Sequence, residues 1–303
     1  MTEYEFLLQD RIAKIKSINE QYDLEHNAYV SFSGGKDSTV LHYLIDEALP
    51  GNKIPRVFIN TGIEYKEIMK FVKEMAAKDD RFVIWIVGKD IKKTLEKVGL
   101  PFKSKEHSHK LHLWQNGSRS ISVKKYFRQA EGGFNSCPKS LMYQIKDDFK
   151  LKVSAFCCNE FKKKPIADYQ KQSGRYITIT GMMKEEGGQR TSLRCIVTDS
   201  KSGIVKKFHP MSVLTKAFED WYITKKSIEL FLKVKTIGAP LATRSCEIIR
   251  RIVEFTQLDT LLALLPSERK NCEYLWKPVY DEYRRIGYRL RKEKPSLFGG
   301  SYV

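Results

Sequence analysis

Ser33-Gly34-Gly35-Lys36-Asp37-Ser38 lies between two runs of different periodicity. Before it, Ala28-Tyr29-Val30-Ser31-Phe32 alternates as a strand does; after it, Thr39-Val40-Leu41-His42-Tyr43-Leu44-Ile45 reads as a helix. A strand, a glycine turn and a helix start together build an anion site. Two glycines let backbone N–H groups approach a phosphate with no Cβ in the way. The helix N-terminus adds unpaired donors and a partial positive charge. Ser33 and Ser38 add hydroxyls, Lys36 a point charge, and Asp37 a group able to hold a metal or a polar ligand atom. The Walker loop is excluded, because it separates its glycines by four residues and these are adjacent.

Outward from the loop, strands alternate with helices. Residues 3–23 read as an amphipathic helix with Phe6, Leu8, Ile12, Ile15, Ile18 and Tyr22 near one stripe. After the helix that ends near residue 47, Leu49-Pro50-Gly51-Asn52 is a turn and Arg56-Val57-Phe58-Ile59-Asn60 a buried strand. Thr61-Gly62-Ile63-Glu64 leads into a helix to about residue 78, residues 82–87 form a third strand, and Asp90 caps a short helix. Residues 176–180 resume the sheet, and Asp199-Ser200-Lys201-Ser202-Gly203 reads as a hairpin turn. This order predicts an α/β fold, a doubly wound, mostly parallel sheet covered on both faces. Ligands of such sheets sit at the carboxyl ends of the strands, where the 33–38 and 60–64 loops both fall. The expected organisation is a nucleotide-binding α/β domain over 1–215, with an insertion at about 101–155, and a helical C-terminal region over 216–303. Cys137-Pro138 is expected to start a helical stretch to about residue 150, and residues 258–265 and 274–290 to form two packed helices.

Lysine and arginine number 54 against 36 acids, a net charge of +18 that draws polyanions. Nucleotides, RNA and DNA are all candidates, and a solvated lysine-rich surface reads the same from charge alone. Residues 103–128 carry seven basic residues against one acid, interleaved with His107, His109, His112, Trp114, Tyr126 and Phe127. The histidine spacing fits neither one helix face nor a zinc pattern, so surface histidines are expected. Basic plus aromatic residues suit backbone contacts and base stacking on a nucleic acid; a lid over nucleotide phosphates fits equally. No run approaches the roughly 18 apolar residues of a membrane helix, and residues 1–5 lack a signal-peptide pattern. The expectation is a cytoplasmic protein with no membrane partner. Its six cysteines point to metal or redox chemistry rather than a disulfide framework.

Cys157-Cys158-Asn159-Glu160-Phe161-Lys162-Lys163-Lys164-Pro165 is a second signal. Two thiolates at a turn beside lysines would have lowered pKa values and ligate a soft metal; two buried apolar cysteines are the alternative. With residues 30–40, 57–67, 157–165 and 180–190, and more weakly His209-Pro210-Met211-Ser212, the chain resembles the phosphoadenosine phosphosulfate (PAPS) reductase family of the PP-loop ATP-pyrophosphatase superfamily. The segment 276–285 also resembles the C-terminus of some members. The resemblance implies an adenine-nucleotide α-hydrolase-like fold. Ser33, Gly34, Gly35, Lys36, Asp37 and Ser38 would hold nucleotide phosphates, and Thr61, Gly62 and Glu64 would lie by ribose and adenine. Gly181, Glu186 and Arg190 match the family's later motif, with Arg190 suited to a phosphate or sulfonate. Gly187 stands where the family usually has serine.

Two departures shape the expected function. Reductases carry a catalytic cysteine in a C-terminal Glu-Cys-Gly segment, whereas no cysteine follows Cys272 here. Cluster-bearing relatives pair Cys-Cys with a later Cys-x-x-Cys, whereas Arg244-Ser245-Cys246-Glu247-Ile248-Ile249 holds one cysteine. A 4Fe–4S cluster would have Cys157, Cys158 and Cys246, with Cys272 or Cys137 as a fourth ligand or an iron left open to carry sulfide; the alternative binds no metal. An intact loop favours cleavage of ATP to AMP and pyrophosphate, with Lys36, Asp37 and Arg190 catalytic and Mg²⁺ assisting. A sulfur or nitrogen nucleophile would then displace AMP from the adenylated acceptor. That acceptor is expected to be a nucleic acid such as tRNA or DNA, with a cysteine desulfurase or another sulfur donor as partner. The rivals are a PAPS or adenylyl-sulfate reductase with an unrecognised thiol, and a nucleotide-gated nucleic-acid-binding subunit.

Overall fold

The computed structural model describes residues 1–64, 66–132, 136–187, 190–228, 274–279, 281–282 and 285–286. In chain order it contains α1 (Glu3–Tyr22), α2 (Leu24–Asn27), β1 (Ala28–Ser31), α3 (Lys36–Ala48), β2 (Arg56–Asn60), α4 (Lys66–Lys78), β3 (Phe82–Ile86) and α5 (Ile91–Val98). There follow α6 (Lys105–Gln115), α7 (Ile121–Tyr126), α8 (Lys164–Ser173), β4 (Ile177–Ile179), β5 (Ile196–Thr198), β6 (Val205–Phe208) and α9 (Lys216–Lys226). Two compact units emerge, one of residues 1–87 with 162–244 and one of residues 88–161 with 245–303.

The first unit is built on a six-stranded sheet in the order β3-β2-β1-β4-β6-β5. Neighbours are parallel except β5, which pairs antiparallel with β6 through the turn at Asp199–Gly203. There the Asp199 carboxylate accepts from the Lys201 and Ser202 amides at 3.0 and 2.9 Å, and Gly203 supplies a φ of +69°. The fold is therefore the expected doubly wound, mostly parallel α/β sheet. The chain winds from β1 outward through β2 to β3, then places β4 on the other side of β1. That reversal opens a crevice at the carboxyl ends of β1 and β4.

Alternation along β1 divides the core. Ala28 and Val30 join a cluster with Leu8, Ile15, Leu41, Ile45, Ile179 and Phe218, while Tyr29 joins Val57 and Tyr169. Helix α1 begins with a capping box, the Glu5 amide donating to Thr2 Oγ1 and the Thr2 amide to the Glu5 carboxylate. It buries Leu8, Ile12, Ile15 and Ile18 as expected. Phe6, however, is 63% exposed, because two residues from Leu8 along a helix is about 200° around it.

Opposite the crevice, a charge network ties the foot of α3 to the start of β2. Arg56 is wholly buried; its Nε donates to His42 Nδ1 at 3.0 Å and its Nη2 to Asp46 Oδ1 at 2.5 Å. Arg81 forks onto Asp46 at 2.7 and 2.9 Å and also binds Asp79. Burial pushes the Arg56 guanidinium down to about 10 and, with Arg56 beside it, His42 down to about 4. Burial alone would raise Asp79, but the Arg81 hydrogen bonds outweigh it and hold that carboxyl at about 2.

In the second unit, α5 to α7 pack around Leu95, Leu111, Val123, Tyr126 and Phe127. Three expectations are corrected here. His107 is buried rather than superficial, bonded to Tyr126 Oη at 3.0 Å and Gln144 Oε1 at 2.8 Å. Its desolvation pushes it down to about 4, so it is neutral. The stretch after Pro138 is a short 3-10 helix, Lys139–Ile145, ended by an extended Lys146. Tyr126 and Phe127 lie in the core, and Trp114 is covered by the Arg119 guanidinium 3.7 Å from its ring. These rings are not open platforms for bases. The expected helix over 258–265 lies outside the described residues, as do 280, 283–284 and 287–290 of that expected over 274–290; its residues 274–279 and 281–282 are helical.

Candidate functional site

The glycine loop leaves β1 and enters α3 at Lys36, at the mouth of the crevice. Gly34 has a φ of +72°, and a Cβ there would stand 2.9 Å from Ile68 Cγ2 of α4, so conformation and space both demand glycine. Gly35 is the N-cap of α3 and offers no side chain to the amides of the first turn. Those amides keep the helix N-terminal field for a ligand. The serines brace the loop from inside. Ser38 Oγ donates to the Gly35 carbonyl at 2.9 Å, accepts from the Ser33 amide at 3.2 Å, and lies 3.0 Å from Ser33 Oγ.

Gly181 brings β4 against this loop. A Cβ on it would fall 2.7 Å from the carbonyl oxygen and 3.0 Å from the carbonyl carbon of Asp37, well inside van der Waals contact. The close approach of the chain after β4 to the first turn of α3 therefore depends on a missing side chain. Just beyond, the Glu186 carboxylate accepts the Met183 amide at 3.2 Å and pairs with the Arg190 guanidinium. Gly187, in place of the usual serine, has φ +74° and ψ −169°, a conformation essentially confined to glycine. The missing hydroxyl is thus accompanied by a backbone that a serine would strain. His209 Nδ1 lies 2.6 Å from Thr180 Oγ1, and burial pushes its imidazole down to about 4.

At the end of β2, Glu64 serves its own loop. Its carboxylate accepts from the Thr61 amide at 3.0 Å, the Thr61 hydroxyl at 2.7 Å and the Gly62 amide at 2.9 Å. Burial raises this carboxyl, against the pull of those hydrogen bonds. Thr61, Gly62 and Glu64 thus form one rigid turn beside the glycine loop, since β2 neighbours β1.

Lys36 does not stand free. Its Nζ lies 3.0 Å from Asp220 Oδ1 and 3.2 Å from Glu219 Oε2, both on α9. Burial would lower the Lys36 ammonium, but these two carboxylates raise it. Glu219 has a side chain with no exposed surface, and neither of its oxygens has a well-oriented hydrogen-bond donor. Burial, then the charge of Asp37, pushes it up to about 7. The sequence reading missed Glu219 and Asp220. The available signal was an acid between Phe218 and Tyr222, on a helix face where both aromatics are buried.

The cysteines depart from their expectation. Cys157 precedes a π-helical turn, Asn159–Lys163, and is buried; desolvation and the adjacent Cys158 push its thiol up to about 12. That is the opposite direction from the activated thiolate expected beside lysines. Cys137 is also buried and pushed up to about 11. Cys137, Cys157, Cys158 and Cys195 are not in disulfides. Among the described residues, the group of three metal-ligand side chains within 4.8 Å of one another is His42, Asp46 and Asp79, not the cysteines. Its carboxylates are already taken by Arg56 and Arg81. Cys246 and Cys272 lie outside the described residues.

A family model described as the phosphoadenosine phosphosulfate reductase domain matches residues 27–233, more than half of the chain. The chain belongs to the PAPS reductase family. The matched span of this PAPS reductase family member contains the glycine loop, Thr61 to Glu64, Gly181 to Arg190, and also Glu219. Among curated proteins, it is 29% identical over 174 residues to the uncharacterized protein MJ0973 of Methanocaldococcus jannaschii, covering 54% of this chain and 40% of that protein. The chain thus spans less than half the length of the curated relative. Among solved structures, PAPS reductase from Candida auris, as a phosphate complex, aligns with 17% identity and a TM-score of 0.42, over 80% of this chain and 98% of that one. NH3-dependent NAD synthetase from Campylobacter jejuni aligns with 13% identity and a TM-score of 0.42, over 97% and 100%. No helix among the described residues is long and apolar enough to cross a membrane.

Proposed function

We propose that this chain binds ATP at the Ser33–Ser38 loop and cleaves it to AMP and pyrophosphate, adenylating an acceptor that sulfur transfer then completes. The observation that carries the reading is the uncapped N-terminus of α3, bearing both Lys36 and Asp37, at the switch point of the sheet. An acceptor oxygen attacks the α-phosphorus, the bond to the bridging oxygen of the β-phosphate breaks, and pyrophosphate leaves carrying the electron pair. The α3 amides and the Lys36 ammonium are suited to hold the charge that develops on that leaving group. Arg190, paired with Glu186, is suited to hold a phosphate oxygen once the nucleotide competes for its fork.

Magnesium fits this donor set, because Asp37 offers a hard oxygen ligand at the loop; when bound it would neutralise pyrophosphate charge. A 4Fe–4S cluster would draw on Cys157 and Cys158 with Cys246, and on Cys137 or Cys272 as a fourth ligand, of which Cys246 and Cys272 lie outside the described residues. No step is assigned to a cluster.

For the acceptor, the +18 charge and exposed Lys105, Lys124, Lys125 and Arg128 support a nucleic acid, tRNA or DNA, held by its phosphates. Sulfur would come from a donor such as a cysteine desulfurase. Family membership favours a second reading, thiol-dependent reduction of PAPS or adenylyl sulfate. A buried Cys157 with a raised pKa is poorly suited to be its nucleophile.

Phosphorus NMR of the products tests the first reading. AMP and pyrophosphate are expected, lost on Lys36→Ala; ADP with phosphate refutes it, and sulfite release from PAPS establishes the second.

A further inference from the structure

The docking of Lys36 on α9 is not explained by a loop that merely waits for phosphate. A lysine ammonium is a strongly hydrated point charge on a flexible stem, and left alone it would sit in water. Here it bridges one wholly buried carboxylate, Glu219, and one that is 71% exposed, Asp220. Burying a carboxylate is costly, and the Lys36 ammonium 3.2 Å away is the main compensation Glu219 has. Asp37 sits near enough to add repulsion to the same carboxylate. Helix α9 is itself well anchored. Thr215 caps it, Phe218 and Tyr222 are buried on either side of Glu219, and Tyr222 Oη donates to Glu47 of α3 at 2.7 Å.

We propose that Glu219 is a positioning residue for Lys36, holding its ammonium on α9 in the nucleotide-free protein and yielding it to the β- and γ-phosphates when ATP binds. The proposal rests on the reading that this loop binds ATP. Binding then exchanges one ion pair for another, and the Glu219 pair is subtracted from the affinity for a triphosphate. A nucleotide without β- and γ-phosphates has no claim on Lys36 and leaves the dock closed. Asp220 contributes less, since an exposed pair is worth little in water.

The test is calorimetric titration at pH 8, where Glu219 is ionised, of ATP with magnesium, and of AMP, into wild type, Glu219→Gln, Asp220→Asn, Lys36→Ala and Lys36→Ala/Glu219→Gln. Glutamine keeps the shape and hydrogen-bonding reach of the side chain, so folding is expected to survive; a thermal melt of each variant verifies it. Glu219→Gln is expected to tighten ATP about tenfold, in line with the loss of one charged hydrogen-bonded competitor. Asp220→Asn should tighten it by less than threefold, and AMP should be unmoved by either. In the Lys36→Ala background the Glu219 effect should vanish. A tightening that persists without Lys36 means simple repulsion between carboxylate and phosphate, and overturns the docking role. Unchanged or weaker ATP binding by Glu219→Gln overturns it too. If the wild type binds no ATP, the functional reading falls, and the docking falls with it.

Discussion

Gly181→Ala adds one methyl group where the structure leaves no room for it. Gly181 is not among the residues with a positive φ, so an alanine can adopt its backbone without strain. By chain entropy alone the substitution should stabilise the protein by about 0.4–1 kcal/mol. The contact decides otherwise. The new Cβ would lie 2.7 Å from Asp37 O and 3.0 Å from Asp37 C, and both are backbone atoms of a helix that cannot rotate away. Relief requires the chain after β4 and the first turn of α3 to part by roughly half an ångström, a strain of the kind that costs about 1–3 kcal/mol. The net expectation is a loss of about 1–2 kcal/mol, with the displacement concentrated on Lys36 and Asp37. Urea unfolding at neutral pH measures the loss, and titration with ATP measures the displacement as weakened binding. Gly51→Ala separates the two causes: no atom lies within 4 Å of its added Cβ but its φ of +74° strains an alanine, so it should cost stability without weakening ATP binding. A Gly181→Ala protein as stable as wild type, binding ATP equally well, would refute the reasoning.

Three further outcomes follow from the same geometry. Glu219 keeps its proton up to about pH 7 in the folded protein, whereas an unfolded chain loses it near 4.5, so native stability should fall as pH rises between those values, by roughly 3 kcal/mol. Urea midpoints at pH 4.5 and 8 should accordingly diverge from those of Glu219→Gln, with the variant gaining on wild type as pH rises; parallel midpoints contradict it. Arg56→Ala removes one of the two guanidiniums on Asp46, leaves Asn52 and His42 short of a partner and empties the space of a wholly buried side chain, at a cost of about 3–5 kcal/mol, seen as a large drop in melting temperature; a drop of a degree or two would be too small. Cys157, buried and raised to about 12, should resist iodoacetamide at pH 8 in the native protein and react once unfolded; mass spectrometry showing rapid native labelling at Cys157 counts against it.

What could be read without the structure was local. The strand, the glycine turn and the helix at 28–48 are specified by neighbours within a few residues, and so is the Asp199–Gly203 hairpin. What was missed depends on partners far along the chain. His107 is satisfied by Tyr126 and Gln144, 19 and 37 residues away, so its spacing from the other histidines said nothing of its burial. Glu219 owes its character to Lys36, nearly two hundred positions earlier, and to the aromatic residues that exclude water around it. The basic, aromatic stretch at 103–128 looked like a stacking surface because composition does not say which rings a unit keeps for its own core.

The charge network around Arg56 has a mechanical consequence for the opposite end of the same helix. Asp46 and His42 belong to the last turns of α3, and Lys36 to its first, about 15 Å away at 1.5 Å per residue. Clamped to β2 through Arg56 and to the chain entering β3 through Arg81, α3 behaves as a strut embedded at its base. Its other end is where the glycine loop presents amides to an incoming anion. A tip that cannot sway forfeits little disorder when it closes on a phosphate. The rigidity of a remote, wholly buried arginine is thereby part of what makes the loop ready before any nucleotide arrives.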